Sequence, residues 1–372
     1  MTATLNNRNP GLDVLRACCA LGVFFFHCGL LPPGWMGVPV FFVISGYVIT
    51  QSIENHAAGT PRERVLSFYG RRVRRILPPL YIYLLVLLPF IVLAAPEQIT
   101  GWLSAVTFTY NIYSISAPFQ PSHTLSHLWS LGIEEQFYLV FPFLLIFARR
   151  HVTHVLVAIF LVMPLFRLGF AELAARLPEF YRPAALDGLP VHPGACATYF
   201  AGFTQLDAFA VGALLRLHHR WLLRYGRLST IVVLLMIMMG LGYLATGTRE
   251  GAYYYIFLST PGAYQYVWGY SLIAVLGGLL IGCFSGLAVH APALRALAKL
   301  GVFSYEFYLV HRPIVRWYLH YFPIEGPGDG LVVVLVCGAA STALAMLLHY
   351  AAGQVTARLT RRRPAEAARV AA

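Results

Sequence analysis

The first long apolar segment of this chain, residues 11–31, carries two ionisable side chains, Arg16 and His27. Eleven helical steps of 100° bring His27 to within about 20° of the direction of Arg16, with a rise of roughly 16 Å. Both side chains would therefore face the same way, separated by about half the thickness of a bilayer's hydrocarbon core. Ionisable groups inside a membrane span are costly and commonly mark a polar path or an active site. The spacing predicts a cation near one membrane surface and a titratable base deeper in.

The composition is that of a membrane protein. The chain has 372 residues, of which 58% are hydrophobic and 11% charged, and its mean hydropathy is +0.66. These values lie outside the range of soluble domains. The six cysteines show no C-x-x-C spacing, so neither a disulfide framework nor a zinc site is expected. The first apolar segment lacks a small-residue cleavage site after it and is expected to be retained as a helix.

The predicted fold is all-α, a polytopic transmembrane bundle of about ten helices with both termini cytoplasmic. Residues 1–350 would form the membrane-embedded domain, and residues 351–372 a short basic cytoplasmic tail. The spans are expected at 11–31, 36–53, 74–95, 127–148, 152–170, 203–217, 228–247, 265–285, 301–322 and 331–350.

Positive charge supports this topology. The formal net charge is +12, and most of the 27 Lys and Arg residues fall in connections that the ten spans place inside. Such a distribution favours cytoplasmic loops over a nucleic-acid partner. Counting the apolar segment 99–115 as a further crossing would move the later basic loops outside. We therefore expect 99–115 to be interfacial or re-entrant.

Glu134 is the carboxylate that we expect beside His27. The span that begins near residue 127 runs inward from the outer surface, so Glu134 would lie roughly 10 Å below that surface. His27 would lie about 6 Å from the same surface on another helix. A carboxylate that orients an imidazole makes histidine a competent general base. The alternatives are a packing role for His27 and a structural ion pair for Glu134.

Arg72 and Arg75 belong to a run of four arginines at the cytoplasmic mouth of the third span. Positive-inside anchoring alone explains many such runs. The i, i+3 spacing would also hold two guanidiniums on one helix face, which suits bidentate capture of phosphates. A cytosolic ligand with phosphates and a reactive tail would fit this arrangement.

Several other polar residues are candidates for lining the site. Ser45 could donate a hydrogen bond there, although it lies in a small-residue segment typical of helix contacts. Asp207 fits either a functional role or a structural pair with an arginine. His311 lies near mid-span before Pro313, whose kink frees a carbonyl that a polar side chain could satisfy. His127 and Ser130 come shortly before Glu134 in the sequence, on or next to the helix that carries Glu134, and are candidates for the same reason.

A metal site is not expected. His123 and His127 are four residues apart, but no acidic or cysteine ligands flank them at a useful spacing.

In several of the segments described above, the chain resembles acyltransferase family 3, the integral membrane O-acyltransferases of carbohydrates. The matching segments occur in the family's order across roughly residues 11–315. The first begins with Leu12–Arg16 and continues to His27. The others are Val40–Gly46, the arginine run that ends in Arg75-Ile76-Leu77-Pro78, His127–Tyr138 and Gly301–Pro313.

The resemblance implies a fold and an activity. It implies ten or so helices and transfer of an acyl group from a cytosolic donor, typically acetyl-CoA, to an acceptor at the far side. The acceptor would be a sugar hydroxyl of an envelope or secreted carbohydrate, such as lipopolysaccharide or exopolysaccharide. Such an enzyme transfers groups other than amino-acyl groups, and it would lie in a bacterial inner membrane. Acyl-CoA would be a co-substrate, with no bound cofactor.

The resemblance also assigns site residues. Arg16 and His27 match the family's arginine–ten residues–histidine motif, Arg72 and Arg75 its paired arginines, and Glu134 its glutamate. One departure is Gln205, where similar proteins often carry an arginine two residues before the aspartate, which puts charge pairing of Asp207 in doubt. No fused SGNH-type hydrolase domain is expected, so transfer would take one step.

Together these inferences predict a mechanism. Arg72, Arg75 and Arg16 would hold the phosphates of acyl-CoA, and the thioester would reach His27 through the bundle. His27, oriented by Glu134, would remove a proton from the acceptor hydroxyl or take the acyl group transiently. The alternative is a transporter or flippase for a sugar or small acid that uses the buried charges as a path. The inverted repeats that would favour a transporter are not seen.

Overall fold

The protein is described here by a computed structural model covering residues 8–55, 59–177, 193–219, 265–324 and 326–370. Within these ranges every regular element is a helix. The α-helices are α1 (Pro10–His27), α2 (Gly37–Asn55), α3 (Pro61–Ala94), α4 (Ile99–Val106), α5 (Tyr110–Ser114), α6 (Trp129–Phe147), α7 (Val152–Arg176), α8 (Pro193–Phe200), α9 (Leu206–Leu217), α10 (Gln265–Ser285), α11 (Pro292–Val302), α12 (Ser304–Tyr321) and α13 (Pro327–Val370).

Among the described residues, seven helical segments are long and apolar enough to cross a membrane. The helices α8 and α9 form a pair bent by 77°, which would add an eighth span if the pair crosses as one broken helix. The all-helical, multi-pass class is therefore confirmed. The seven segments are Pro10–His27, Pro33–Asn55, Pro61–Ala94, Ser126–Phe147, Val152–Arg176, Tyr266–Ser285 and Gly328–Leu359.

Three of the ten predicted spans do not appear among these seven. The span 203–217 coincides with the second half of the bent pair. The span 301–322 corresponds to the helix α12, which carries Glu306, Arg312 and Arg316 and is therefore less apolar than the others. The span 228–247 lies outside the described residues.

The segment 99–115, predicted to be interfacial or re-entrant, contains no helix long enough to cross a membrane. It contains two short helices, α4 of 8 residues and α5 of 5 residues. Phe108, between them, has a φ of 57°, which ends the helical path. Eight helical residues span about 12 Å, far less than the hydrocarbon core.

Two helices extend well beyond their predicted spans. The helix α3 begins at Pro61 rather than near residue 74, because Thr60 and Glu63 form a capping box there. Its 34 residues extend about 51 Å, so the arginine run belongs to a helix that continues past the membrane thickness. The helix α13 likewise continues beyond residue 350, into the segment that the sequence assigns to a tail.

The helix α1, by contrast, is shorter than predicted and ends at His27. Gly29 has a φ of +75°, a left-handed conformation that only glycine adopts without strain. A 3₁₀ helix at Pro32–Met36 then leads into α2. His27 therefore lies at the end of its helix, where the chain turns back.

Small residues allow α2 and α9 to pack closely. A Cβ at Gly46 would lie 2.1 Å from the carbonyl oxygen of Phe209, and one at Gly212 would lie 1.9 Å from that of Val43. The two glycines thus face each other's helix backbones, which confirms the predicted helix contact in the segment around Ser45.

A buried ion pair joins α9, the second helix of the bent pair, to the neighbouring helices α7 and α10. Arg167 on α7 donates to Asp207 on α9 at 2.5 Å, and both side chains are fully buried. Ser271 on α10 donates to the other carboxylate oxygen at 2.6 Å, and Arg167 also donates to the carbonyls of Thr204 and Val267. Of the two roles predicted for Asp207, the structure supports the structural pair.

This ion pair corrects the doubt that Gln205 raised. Arg167 provides the positive partner from another helix, so an arginine at position 205 is not needed. Gln205 instead donates to the carbonyl of Thr198 at 3.2 Å.

Candidate active site

A pocket of about 820 Å³, including its open mouth, lies between α1, α2, α3, α6 and α12. We call it the arginine pocket because Arg16, Arg72 and Arg75 all line it. The other lining residues are Val38, Phe41, Phe42, Ile44, Ser45, Val48, Ile76, Ser130, Leu131, Glu134, Glu135, Tyr138, Ser304, Tyr305 and Tyr308. Three guanidiniums in one pocket make it a site suited to an anionic ligand.

The spacing of Arg72 and Arg75 directs both into this pocket, which confirms the prediction of a shared helix face. The Arg72 guanidinium lies over the ring of Tyr138, 4.9 Å from its centroid, and 5.7 Å from that of Phe68. Arg74, in the same run, is exposed and donates to the carbonyl of Gly70 at 2.7 Å. The aromatic contacts thus hold one guanidinium inside the pocket.

Arg16 is held by an acid one turn earlier in α1. Its guanidinium donates to Asp13 at 2.5 Å, and the side chain of Asp13 is only 6% exposed. The backbone of Gly301 on α11 approaches α1 at this point, since a Cβ there would lie 1.8 Å from the carbonyl oxygen of Asp13. The close helix crossing buries Asp13, which in turn orients Arg16.

Glu134 belongs to the arginine pocket and does not contact His27. Ser45 donates to one of its carboxylate oxygens at 3.0 Å, and the hydroxyl of Tyr138 donates to the other at 3.1 Å. Both Glu134 and His27 are described, and no hydrogen bond joins them. The expected His27–Glu134 pair is therefore not formed.

The physical reason is depth. Glu134 lies seven residues beyond His127, which corresponds to roughly 10 Å along a helix. Because α1 ends at His27, the residue that reaches the level of His27 is His127 rather than Glu134.

Three imidazoles gather at that level. The ring centroid of His27 lies 5.3 Å from that of His311, which lies 5.8 Å from that of His127. We call these three residues the histidine cluster. In the described part of the chain, no three His, Cys, Asp or Glu side chains are arranged to hold a metal ion. The cluster therefore offers nitrogen bases rather than a metal centre.

Carbonyl groups fix the tautomers of two of these rings. His127 Nε2 lies 2.9 Å from the carbonyl oxygen of Leu309, and His311 Nδ1 lies 2.8 Å from that of Tyr308. A carbonyl can only accept, so these two nitrogens carry the protons. His127 Nδ1 and His311 Nε2 are then lone-pair acceptors, and both are buried without a partner among the described residues.

The hydrogen bond of His127 compensates for Pro313 inside α12. Proline has no N–H, so the carbonyl four residues earlier, that of Leu309, loses its helical donor. His127 supplies the missing donor from another part of the chain. The expectation that a polar side chain satisfies this carbonyl is confirmed, although His311 lies nearer in sequence.

Ser130 and Tyr308 form the wall between the arginine pocket and the histidine cluster. Their hydroxyls are 2.8 Å apart, and that of Tyr308 donates to the carbonyl of His127 at 2.9 Å. The Tyr308 ring also contacts His127 and His311, with centroids 5.5 Å apart in both pairs. The two predicted regions of the site are therefore adjacent.

The structure adds tyrosines that the sequence prediction missed. Tyr138 follows Glu134 by one helical turn, and Tyr308 precedes His311 by three residues. Residues at i, i+3 and i, i+4 share a helix face, so this spacing was a usable signal. Tyr305 also lines the arginine pocket.

These features define a class of protein: a polytopic helical membrane protein with a basic pocket next to a buried cluster of bases. The family profile described as "Acyltransferase domain" matches residues 9–350. The chain therefore belongs to this family, which confirms the resemblance seen in its motifs.

Its relatives include proteins of Staphylococcus aureus. O-acetyltransferase OatA of strain NCTC 8325 / PS 47 is 28% identical over 333 residues, which is 84% of this chain and 51% of that protein. A provisionally named O-acetyltransferase of strain COL is 36% identical over 151 residues, covering 37% of this chain and 24% of that protein. The chain thus spans about half the length of the OatA relative. No solved structure is significantly similar to it.

Proposed function

We propose that this protein is a membrane O-acyltransferase that moves an acyl group from cytosolic acyl-CoA to a hydroxyl of an envelope or secreted carbohydrate. The acyl group is acetyl in this proposal, in keeping with the relatives named O-acetyltransferase. The protein would act in the inner membrane of a bacterium, with the arginine pocket facing the cytosol.

One observation carries the proposal: the arginine pocket and the histidine cluster share the wall formed by Ser130 and Tyr308. A ligand with phosphates on a long reactive arm fits such a pair of regions. Its phosphates would bind Arg72, Arg75 and Arg16, while its arm would lead the thioester towards His27.

His27 would act at the far end of this path. In the proposed step it removes the proton of the acceptor hydroxyl while the oxygen attacks the thioester carbon. The C–S bond breaks, and the proton is returned to the sulfur of the leaving thiolate. In the second route left open by the sequence, a nitrogen of His27 takes the acyl group as the C–S bond breaks and the thiolate leaves. The acceptor oxygen then attacks the acyl carbon, the N–C bond breaks, and the hydroxyl proton passes through the freed imidazole to the thiolate.

Inverted membrane vesicles provide the test, because they expose the cytosolic face and retain the native acceptor. Vesicles with wild-type protein are supplied with acetyl-CoA labelled in the acetyl group, and alkali-labile label in the membrane is measured together with free thiol. We expect both to appear with wild type, to be absent with His27→Ala, and to be unchanged with His290→Ala, whose histidine is exposed.

Two results would contradict the proposal. Full label transfer by a well-expressed His27→Ala variant would remove His27 from the mechanism. Wild-type vesicles that release no thiol from acetyl-CoA or succinyl-CoA, yet take up a sugar, would favour the transporter alternative.

A further inference from the structure

The Nε2 atom of His311 is a buried acceptor without a partner among the described residues. Its ring is fully buried, and its Nδ1–H donates to the carbonyl of Tyr308 at 2.8 Å, so Nε2 carries the lone pair. The ring also lies parallel to that of Phe307, with 1° between the planes and 5.9 Å between the centroids. An unpaired buried acceptor destabilises the folded protein, so its presence calls for an explanation.

Three side chains that can donate a hydrogen bond are in ring contact with His311, namely His27, His127 and Tyr308, and two of them are engaged. His127 uses its Nε2–H on the carbonyl of Leu309, and the Tyr308 hydroxyl donates to the carbonyl of His127. His27 is the third group in ring contact with His311, and its centroid is 5.3 Å away.

That separation suits a hydrogen bond between the two rings. A ring nitrogen lies about 1 Å from its ring centre, so two imidazoles joined by a bond of about 3 Å would have centroids roughly 5 Å apart. The observed separation of 5.3 Å is therefore compatible with an N–H of His27 directed at Nε2 of His311.

We propose that His311 is the positioning residue of the site: its Nε2 accepts a hydrogen bond from a ring N–H of His27 and fixes the tautomer of His27. This inference rests on the proposed function, in which His27 is the base. The hydrogen bond at one imidazole nitrogen determines which nitrogen keeps the proton. His311 thus provides the orientation that the sequence analysis assigned to Glu134.

The proton balance of the reaction follows. With one nitrogen protonated and bonded to His311, the second nitrogen of His27 holds a lone pair for the acceptor hydroxyl. It takes the hydroxyl proton as the O–C bond forms, and it returns that proton to the thiolate sulfur as the C–S bond breaks. The proton shared with His311 stays on His27 throughout.

Two substitutions separate this role from packing. His311→Phe keeps a ring against Phe307 but has no nitrogen, whereas His311→Gln places an amide oxygen near the position of Nε2. In the vesicle assay we expect His311→Phe to lower kcat about 100-fold, with KM for acetyl-CoA changed less than about twofold. His311→Gln should keep at least about a tenth of wild-type kcat, since an acceptor remains.

A measurement on the wild-type protein supplies an independent test. ¹⁵N-histidine NMR of the protein in nanodiscs should show His311 protonated at Nδ1 only, with the signal assigned through its loss in His311→Gln. The Nε2 resonance should shift in His27→Ala, because its hydrogen-bond donor is gone.

Several results would overturn the inference. In the kinetic assay these are a wild-type kcat in His311→Phe, or an equal loss of kcat in His311→Gln and His311→Phe at unchanged Tm. In the NMR spectra they are protonation of His311 at Nε2, or an Nε2 resonance that does not shift in His27→Ala. If His311→Phe does not fold, His311→Gln and the NMR spectra decide. Failure of wild-type vesicles to transfer label would instead contradict the proposed function, and the NMR result would still report on the hydrogen bond.

Discussion

His127 donates its Nε2–H to the carbonyl of Leu309 over 2.9 Å, and this is the carbonyl that Pro313 deprives of its helical donor. A residue beside α6 thus completes the backbone hydrogen bonding of α12. The bond ties the position of His127 to that of Leu309 in α12 and so helps to set the geometry of the histidine cluster.

The first prediction concerns this bond. His127→Leu should destabilise the protein by about 1–3 kcal/mol, because a buried carbonyl is left unsatisfied. In a Pro313→Ala background the same substitution should cost less, since the alanine restores the helical N–H. Unfolding of the four proteins by SDS titration in mixed micelles measures this double-mutant cycle. Equal costs of His127→Leu in both backgrounds would contradict the coupling.

The second prediction concerns the arginine pocket. Arg72→Gln and Arg75→Gln should each raise KM for acetyl-CoA about 10-fold or more, because each loses a charge-assisted bond to phosphate. Arg74→Gln is the matched control, since Arg74 belongs to the same run but does not line the arginine pocket and is bonded to the carbonyl of Gly70. KM is measured from the label-transfer rate in inverted vesicles.

A phosphate-free donor makes this test more specific. With S-acetylpantetheine, which lacks the phosphates of acetyl-CoA, wild type, Arg72→Gln and Arg75→Gln should have similar rates. If the substitutions impair both donors equally, these arginines act on something other than phosphate.

The third prediction separates the two locations considered for Glu134. In the structure its carboxylate is bonded to Ser45 and Tyr138 inside the arginine pocket. Glu134→Gln should therefore change KM for acetyl-CoA more than it changes kcat, whereas a carboxylate that oriented His27 would act mainly on kcat. Glu172→Gln, at an exposed position, controls for the loss of one negative charge. A fall in kcat alone would restore the sequence-based assignment.

Hydropathy and residue spacing predicted much of this protein. Within the described ranges the long apolar segments are helices, and the i, i+3 spacing of Arg72 and Arg75 placed both in one pocket. The prediction that Arg16 and His27 face the same way is also confirmed, because both side chains point towards α12. Arg16 lines the arginine pocket together with Tyr305 of α12, and His27 contacts His311 of the same helix. These predictions depend on local helix geometry alone.

Features that depend on helix ends and on pairing between helices were not predicted. The predicted span continues for four residues beyond His27, whereas the turn at Gly29 ends α1 at His27 itself. That shift, about one helical turn, was enough to suggest Glu134 as its partner instead of His311. The start of α3 could have been predicted, because Thr60 followed by Glu63 is the sequence pattern of a capping box.

The last prediction concerns the ion pair of Arg167 and Asp207. Both side chains are fully buried, so removing either one leaves an uncompensated charge, which typically costs about 3–5 kcal/mol. Arg167→Met and Asp207→Leu should each cause a loss of this size, measured by SDS titration. The double variant should lose less than the two single losses combined, because no charge is left buried.

The double variant also tests whether the pair acts in catalysis. Neither Arg167 nor Asp207 lines the arginine pocket, and Asp207 directs its carboxylate at Arg167 and Ser271. Label transfer per folded molecule should therefore stay close to wild type in the double variant. Some loss of stability would remain, because the carbonyls of Thr204 and Val267 lose the donor that Arg167 provided. A folded double variant without activity would show that Asp207 has a functional role in addition to its structural one.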